Sequence, residues 1–381
     1  MMTVAELNRQ VPALLSLVTL FLGHRHSMDG AGARRPPTGG RTVTQEQRTR
    51  VAVVGTGPWW GREHARVYGE RPDVDLCAVV GSTPERAAAR AREFGTSPYV
   101  DLEEMLGRER PDLVSVCLAN EGHFEPTLAV IRAGFPLLVE KPLVFDLDQA
   151  DVLLGEAEAR SLFFAINFNH RYATPVAMAA DAVRAGDLGE LVFATWRFGG
   201  EPGTSAHPHA NLIETQCHGL DMLEHLCGPI DSVTAQMTDK TGRGWSTLVA
   251  ALHFANGAVG SLVGSYDSSY AYPATHRVEL NGTGGRILIE DTVRRYTLTR
   301  AGSEVSSVWE AGYFNDLDRG FHRTFDKHVD DLLHALRERR PPPIHARAGR
   351  RALALAHAII RSFETGTRVD VPPDSSPEPR R

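Results

Sequence analysis

The stretch RVAVVGTGPWWGREHA, residues 50–65, decides how the first half of the chain folds. The apolar run VAVV is typical of a strand buried on both faces, and the glycines Gly55, Gly57 and Gly61 follow it at once. Glycines here let the backbone turn sharply and approach a pyrophosphate, which then lies against the N–H groups at the positive end of the next helix. We therefore predict that these glycines and Thr56 bind a dinucleotide.

The glycine spacing is GxGxxxG, which is one residue longer than the standard dinucleotide-binding fingerprint. A tight turn that binds nothing is the alternative interpretation. Dinucleotide binding is favoured because the glycines stand between the first strand and the first helix of an alternating pattern.

Short apolar runs alternate with amphipathic segments as far as about residue 166. The apolar runs predict strands at Val51–Val54, Leu76–Val80, Leu113–Leu118, Pro136–Val139 and Phe163–Ile166. The amphipathic segments predict helices at Glu63–Glu70, Pro84–Phe94, His123–Ala133 and Leu147–Ala159. Regular alternation of strand and helix is typical of a doubly wound parallel sheet, so we assign this half to the α/β class.

The pattern changes after Tyr172, where strand-like runs follow one another with turn signals such as Asn256-Gly257 between them. Strands are predicted at Leu191–Trp196, Thr247–Phe254, Ala258–Ser265, His276–Leu280 and Arg286–Ile289. One helix is predicted to end near Ala185, and a second covers Leu212–Leu226. Two more helices, at Arg319–Glu338 and Ala346–Phe363, close the fold. Consecutive hairpins imply a large, mostly antiparallel sheet packed with helices, which is a second α/β domain.

Composition excludes several classes of protein. The chain has 381 residues, 42% hydrophobic and 23% charged, enough for a large core and two domains. A net charge of −6 gives no electrostatic footprint for nucleic acid, and no apolar run reaches the roughly 18 to 20 residues needed to span a membrane. The cysteines form no CxxC pair and are too few for a disulfide scaffold, so we expect a cytoplasmic protein with reduced thiols.

The two ends of the chain lack the periodicity of packed elements. We predict that residues 1–48 are a poorly structured extension and that the Pro-rich, charged residues 372–381 are a disordered tail. The apolar run Val11–Leu22 faintly imitates a signal peptide, so export is an alternative, and a start at Met28 is another.

The end of the second predicted strand bears on the choice of dinucleotide. A carboxylate about 20 residues after the glycines would hold the ribose hydroxyls of NAD, and none stands there. Ser82, Thr83 and Arg86 instead offer hydroxyls and a guanidinium that suit the 2′-phosphate of NADP(H). We therefore favour NADP(H) over NAD(H). The alternative is an ordinary helix N-cap at Ser82 or Thr83 with a solvated arginine.

Further motifs lie after the later strands. The tripeptide Glu140-Lys141-Pro142 follows the fifth predicted strand, Leu118-Ala119-Asn120 precedes His123, and His218 lies in the second half. Together with the glycine loop, these motifs resemble the glucose-fructose oxidoreductase, inositol dehydrogenase and rhizopine catabolism (Gfo/Idh/MocA) family. The resemblance covers about residues 50–371, and the Glu-Lys-Pro tripeptide is its most specific element.

The resemblance implies an NAD(P)-binding Rossmann domain at residues 49–170. It also implies a C-terminal α/β domain at residues 171–371 that binds substrate and whose open sheet forms homodimers or homotetramers. Substrates of that family are mostly polyols, sugars, cyclitols and sugar nucleotides. The matching cofactor-binding residues are Leu118, Asn120, His123, Glu140 and Lys141.

Lys141 also stands out from composition. Only three of the 41 basic residues counted as Lys plus Arg are lysines, so the chain strongly favours arginine. A lysine kept against that bias offers chemistry that arginine lacks, because desolvation can lower the pKa of a compact ammonium group. A structural ion pair with a neighbouring acid is the alternative.

A second cluster lies within the predicted helix Leu212–Leu226. At helical spacing, Glu214, His218, Asp221 and His225 form one polar stripe, which suits a cleft. The resemblance implies that His218 exchanges the substrate's hydroxyl proton, that Glu214 orients or charges it, and that Lys141 polarises the same oxygen. The family has aspartate where this chain has Glu214, and Asp221 is a candidate substrate contact.

The segment that follows the sixth strand, Asn167–Tyr172, matches a turn that carries substrate contacts in the family. Asn169 and His170 are therefore candidate substrate-binding residues, and the alternative is that they cap the linker between domains. His207 and His209 could be joined with Glu214 and His218 in a metal site. The spacing lacks a metal-site signature, so we predict no metal.

The sequence therefore predicts an NAD(P)-dependent oxidoreductase that interconverts a secondary alcohol and a ketone on a sugar, cyclitol or sugar nucleotide. Lys141 and His218 would be its acid–base pair. One alternative is a glycosidase-type enzyme that uses a tightly held dinucleotide transiently. The other is a noncatalytic dinucleotide-binding protein, because a fold does not fix a function.

Overall fold

A computed structural model describes residues 48–119, 122–202 and 205–373. Nearly all of the predicted N-terminal extension and C-terminal tail, and the candidate cofactor contact Asn120, lie outside these residues. Two sheets organise the rest of the chain.

The first sheet contains six parallel strands in the order β3-β2-β1-β4-β5-β6. They are β1 (Thr49–Val54), β2 (Val74–Val80), β3 (Ser97–Tyr99), β4 (Leu113–Val116), β5 (Leu137–Val139) and β6 (Phe164–Ile166). The intervening helices are α1 (Trp60–Gly69), α2 (Pro84–Phe94), α3 (Leu102–Glu109), α4 (Phe124–Arg132) and α5 (Leu147–Ala159). The predicted doubly wound sheet is confirmed, and its strand order is that of dinucleotide-binding domains.

Two predicted boundaries in this half were wrong, and two elements were missed. Helix α1 begins at Trp60 rather than Glu63, and β4 ends at Val116, two residues before Leu118. The sequence analysis also missed β3 and α3. The three residues of β3 contain no apolar run and include a proline. The proline is tolerated because this strand lies at the edge of the sheet.

The second sheet contains nine strands in the order β14-β13-β12-β11-β7-β10-β9-β8-β15. The strands are β7 (Leu191–Gly199), β8 (Ile230–Thr238), β9 (Thr247–Phe254), β10 (Val259–Ser265), β11 (His276–Gly282), β12 (Gly285–Glu290), β13 (Arg295–Arg300), β14 (Ser306–Glu310) and β15 (Val369–Asp370). Only β7 and β10 pair in parallel within the described sheet, so the mostly antiparallel prediction is confirmed. The missed strands are β8, β13, β14 and β15.

Helices cover one face of the second sheet. The helices of this half are α6 (Thr174–Arg184), α7 (Cys217–Cys227), α8 (Asp316–Arg319), α9 (Arg323–Arg337) and α10 (Arg347–Thr365). The predicted single helix from Arg319 to Glu338 is therefore two helices, because Gly320 ends α8 in an extended conformation. None of the helices in the described ranges is long and apolar enough to cross a membrane.

Helix α9 packs on the first sheet although it lies far along the chain. Its buried residues Phe325, Val329 and Leu332 belong to the same apolar cluster as Val51 of β1 and Tyr68 of α1. Ion pairs flank this contact, Arg66 with Asp326 and Arg337 with Asp73 among them. The segment that leads into α9 consequently lies beside the glycine loop.

Candidate active site

The glycine loop provides the geometry that a bound diphosphate requires. Gly55 has φ +134°, and a Cβ there would lie 2.4 Å from the carbonyl oxygen of Cys117, so only glycine fits. A Cβ on Gly57 would meet no described atom within 4 Å, which leaves that side of the loop open. Trp59, at the N-cap of α1, gives the helix no side-chain cap, because an indole has no hydrogen-bond acceptor. The N-terminus of α1 is thus available to an anion.

The extra residue of the GxGxxxG spacing is absorbed in a wide turn. The backbone N–H of Arg62 donates to the carbonyl of Gly57, five residues back, at 3.0 Å. From α2, the Arg90 guanidinium donates to the carbonyls of Thr56 (3.4 Å) and Gly57 (3.1 Å) and so fastens the loop. The sequence analysis missed Arg90, and the only signal was an arginine between the buried positions Ala87 and Ala91 of α2.

The residues after β2 lie on the surface at the start of α2. Thr83 is the N-cap, and its hydroxyl accepts from the backbone N–H of Arg86 at 3.3 Å. The Arg86 guanidinium donates to the hydroxyl of Ser82, also at 3.3 Å. Thr83 therefore caps the helix, as in the alternative interpretation, while Ser82 and Arg86 form an exposed polar pair. Glu85 stands between them in sequence, and hydrogen bonds to its own backbone and to Thr83 lower the pKa of its exposed carboxyl.

Two candidate cofactor contacts are engaged within the protein. The ring nitrogens of His123 lie 2.9 Å from the carbonyl oxygen of Pro142 and 3.0 Å from that of Leu118, so this buried imidazole ties two loops together. Burial lowers the pKa of His123. Glu140 is also buried and interacts with side chains of α1 and of the segment after β6. Contact of either residue with a dinucleotide stays a prediction.

Lys141 follows β5 and reaches toward the second half of the chain. Its Nζ donates to the backbone carbonyl of Glu214 at 3.1 Å. Burial lowers the pKa values of His170 and His218, and the charge of Lys141 lowers them further. The structure thus brings Lys141, Glu214, His218 and His170 together at the carboxyl edge of the first sheet.

The helix that carries His218 is not continuous, contrary to the prediction. Asn211–Thr215 form a π-helical turn in which Gln216 N–H donates to Asn211 O at 3.0 Å, and α7 begins at Cys217. Such a turn holds an extra residue, so Glu214 does not lie one α-helical turn before His218. Neither Glu214 Oε1 nor His218 Nδ1 has a hydrogen-bond partner among the described residues. The predicted orienting bond from Glu214 to His218 is therefore absent between these atoms.

Two imidazoles stack beside Lys141. The His170 and His218 ring centroids are 3.9 Å apart, with an interplanar angle of 4°. The His276 ring of β11 meets the His170 ring edge-on, with centroids 5.7 Å apart. The Thr292 hydroxyl oxygen lies 2.6 Å from Nδ1 of His276. Burial lowers the pKa of all three histidines, that of His276 to about 3. His276 was missed because an isolated histidine in an antiparallel strand matches no motif.

The other candidate substrate contacts are occupied by protein partners. Arg171 donates to Asp221 through two nitrogens at 2.9 and 2.6 Å, and both side chains are largely buried. Asn169 donates from its amide to the hydroxyl of Thr324 at 2.7 Å. His225, the last member of the predicted stripe, is exposed. Substrate binding by Asp221 or Asn169 stays a prediction.

Several buried polar atoms around Lys141 lack partners. Within the described part of the chain, no hydrogen-bond partner is present for Glu214 Oε1, His170 Nδ1, His218 Nδ1 or His276 Nε2. Buried polar groups are costly unless they are paired. A hydroxyl group both donates and accepts, so a polyol is a kind of ligand that suits such atoms.

The metal alternative finds no geometric support. His209 N–H donates to the His207 ring at 3.1 Å, and the His207 ring packs against Phe145. No group of three or more His, Cys, Asp and Glu side chains in the described ranges is arranged to hold a metal ion.

Aromatic residues at the surface lie between the glycine loop and the stacked histidines. Phe321, before α9, meets His170 edge-on at 5.3 Å, and His322 lies 5.6 Å from the ring of Trp59 in the glycine loop. Trp59 is 67% exposed and Phe321 is 36% exposed. The sequence analysis gave neither ring a function, because exposed aromatic residues in loops carry no spacing signal.

Two family models match most of the chain. A model described as an oxidoreductase family with an NAD-binding Rossmann fold matches residues 49–168. The model of that family's C-terminal alpha/beta domain matches residues 181–371. The fold and these matches define an oxidoreductase with an NAD-binding domain, as predicted. The chain belongs to the Gfo/Idh/MocA family.

Individual relatives are distant. D-glucoside 3-dehydrogenase from Escherichia coli is 29% identical over 205 residues, which are 51% of this chain and 58% of the relative, so the match spans little more than half of that protein. Myo-inositol 2-dehydrogenase from Thermotoga maritima is 24% identical over 275 residues, 68% of this chain and 80% of the relative. The solved structure of levoglucosan dehydrogenase in complex with NADH and L-sorbose is 20% identical, with a TM-score of 0.76 over 86% of this chain and 99% of that chain. This likeness shows the fold.

Proposed function

We propose that the protein interconverts a secondary alcohol and a ketone on a sugar, cyclitol or sugar nucleotide with NAD(P) as the redox cofactor. The cluster of unpartnered buried polar atoms around Lys141 carries this proposal, because a polyol suits such atoms. The names of the glucoside and inositol dehydrogenases support the same substrate class.

The described residues fit a dinucleotide. The open side of Gly57 and the uncapped N-terminus of α1 would hold the diphosphate, with Arg90 fixing the loop behind them. Leu118 and Lys141 follow the neighbouring strands β4 and β5, at the edge where such cofactors bind. When bound, NAD(P) supplies the hydride acceptor or donor of the reaction.

Lys141 and His218 would handle the substrate's proton. A neutral imidazole accepts a proton, and burial together with the charge of Lys141 holds the pKa of His218 well below its usual value. His218 is therefore ready to act as the base that takes the proton of an alcohol. The Lys141 ammonium, held by the carbonyl of Glu214, would stabilise the negative charge that develops on the same oxygen.

The test is a substrate screen with both dinucleotides. Purified protein is supplied with NADP+ or NAD+ and a panel of pyranoses, inositols and sugar nucleotides, and reduced cofactor and ketone product are measured together. Formation of reduced cofactor and ketone product in equal amounts supports the proposal. Cleavage of a glycoside without net cofactor reduction would favour the transient-oxidation alternative, and cofactor binding with no turnover would favour a noncatalytic role.

We also propose a preference for NADP(H), supported by the exposed Ser82–Arg86 pair and by the absence of a carboxylate at residues 81–84, directly after β2. Ser82→Asp should raise the Kd of NADPH by about tenfold or more while that of NADH changes little, since a carboxylate repels a 2′-phosphate. Gly81 is unsuitable for this substitution because a Cβ there would lie 2.8 Å from the backbone nitrogen of Ala87. Fluorescence titration measures both Kd values.

Arg86→Ala should weaken NADPH binding alone, whereas Arg92→Ala, exposed further along the same helix, serves as the matched control. If Ser82→Asp and Arg86→Ala both leave the NADPH to NADH ratio of Kd values unchanged, the assignment of the 2′-phosphate site is wrong.

We propose that the protein forms a homodimer or homotetramer through the open face of the second sheet. Val249 of β9 is 48% exposed there, Val259 of β10 is 54% exposed, and Val263 pairs with Val249. Val249→Asp should convert the assembly to a monomer in light scattering, because it would bury a charge at the interface. Val152→Asp, on the exposed side of α5, is the control. An unchanged mass for Val249→Asp would contradict this interface.

The division of labour follows from the two sheets. We propose that residues 49–170 bind the cofactor and residues 171–371 bind the substrate and form the oligomer. All four cysteines are buried and free, which suits the cytoplasmic location we propose.

A further inference from the structure

A chain of buried hydrogen bonds runs beneath the candidate active site. His64 of α1, with no exposed surface, places Nδ1 2.8 Å from the hydroxyl of Ser115 on β4 and Nε2 2.9 Å from Oε1 of Glu140 after β5. Asn167, after β6, donates to the same carboxylate oxygen at 2.5 Å. The chain therefore crosses four neighbouring elements at the carboxyl edge of the first sheet.

The donors in this chain all point toward Glu140. A carboxylate only accepts, so His64 Nε2 carries the proton, and Nδ1 then accepts from the Ser115 hydroxyl. The backbone N–H of Lys141 donates to Glu140 Oε2 at 3.2 Å, so the carboxylate has partners on both oxygens. Burial raises the pKa of Glu140, but the hydrogen bonds from His64 and Asn167 and the charge of Lys141 outweigh it and hold the pKa below its usual value.

The Ser115–His64–Glu140 constellation has the residue types and distances of a hydrolytic triad, and its burial excludes that chemistry. Ser115 and His64 are 0% exposed and Glu140 is 5% exposed, so no substrate reaches the hydroxyl. The Phe325 ring of α9 also packs on His64 with centroids 4.4 Å apart. Ser115 and His64 therefore act on neighbouring side chains rather than on a ligand.

We propose that His64 is a positioning residue for Lys141 and acts through Glu140. The ionised carboxylate, fixed by His64 and Asn167, holds the backbone N–H of Lys141 and so sets the direction in which the side chain leaves the strand. Because His64 lies three residues after Gly61 on α1, the same bond joins the dinucleotide loop to the candidate catalytic lysine. This inference rests on the role proposed above for Lys141 in the reaction.

A pair of variants separates positioning from general stability. The amide nitrogen of His64→Gln can replace Nε2 and keep the donor to Glu140, whereas His64→Asn can replace only Nδ1 and loses that donor. Trace acetylation of the cofactor-free protein with acetic anhydride reports on Lys141 without any substrate, and exposed Lys240 is the internal reference. We expect the labelling ratio of Lys141 to Lys240 to rise about threefold or more in His64→Asn and to stay near wild type in His64→Gln.

Kinetics provides the second readout. His64→Asn should lower kcat by about tenfold or more with a smaller change in the KM for substrate, and His64→Gln should restore most of it. Ser115→Ala, a milder change that frees the tautomer of His64, should shift the labelling ratio in the same direction and tests the idea if His64→Asn does not fold. Equal labelling ratios in the folded variants and wild type would overturn the positioning role. Because labelling needs no substrate, that result is distinct from a failed substrate screen.

Discussion

Lys141→Met should reduce kcat by at least about a hundredfold, because it removes a charged donor whose charge acts on His218, whereas the nearby Arg171 is already paired with Asp221. The unbranched methionine fills similar space and removes the charge, so the fold should persist. Initial rates with the best substrate of the screen, together with a fluorescence Kd for NADPH, measure turnover and cofactor binding separately.

The matched control is Lys240→Met, since Lys240 is exposed and lies outside the candidate site. Its kcat should equal that of the wild type. Full activity of a folded Lys141→Met variant would remove the lysine from the mechanism and favour the alternative that it is a structural ion-pairing residue.

His218→Asn should reduce the rate of alcohol oxidation by about a hundredfold to ten-thousandfold, the usual effect of removing a general base. Asparagine keeps a polar side chain in the pocket but cannot accept and release a proton near neutral pH. His225→Asn is the control, because His225 lies on the same helix and is exposed. An increase in KM alone, with kcat unchanged, would assign His218 to substrate binding instead.

The pH profile gives a second view of the same residue. A base must be neutral, and a histidine is neutral above its pKa. Burial, reinforced by the charge of Lys141, lowers the pKa of His218, so alcohol oxidation should keep its rate as pH falls through 6.5, where an ordinary histidine would become protonated. An acidic limb centred near 6.5 that disappears in His218→Asn would show that the group titrates normally.

The fold was largely predictable because its strands and turns have local sequence patterns. Buried parallel strands are continuous apolar runs, and the glycines of the first turn have a steric task that appears at Gly55 as a positive φ and a contact with Cys117. The short edge strand β3 was not predicted because it buries no residue in the core. Its pairing with β2 joins segments that are apart in the sequence, and no local pattern records it.

The candidate site was predictable only where residues follow strands in recognisable motifs. Lys141 and His218 were found in this way, and the structure brings them together. His276, Arg90 and His64 act through contacts between elements distant in sequence, and no spacing rule records such contacts. The π-helical turn was missed for a different reason: helical periodicity assumes 3.6 residues per turn, and one extra residue moved Glu214 out of the predicted stripe.

The docking of α9 on the first sheet has a consequence for how the two halves can be exchanged between proteins. The apolar surface formed by Val51 and Tyr68 is covered by Phe325 and Val329, which the chain supplies more than two hundred residues later. A fragment cut after the sixth strand would expose this surface to water. The transferable module is therefore discontinuous, and a chimera that swaps substrate specificity has to retain α9 from the same parent as the cofactor half.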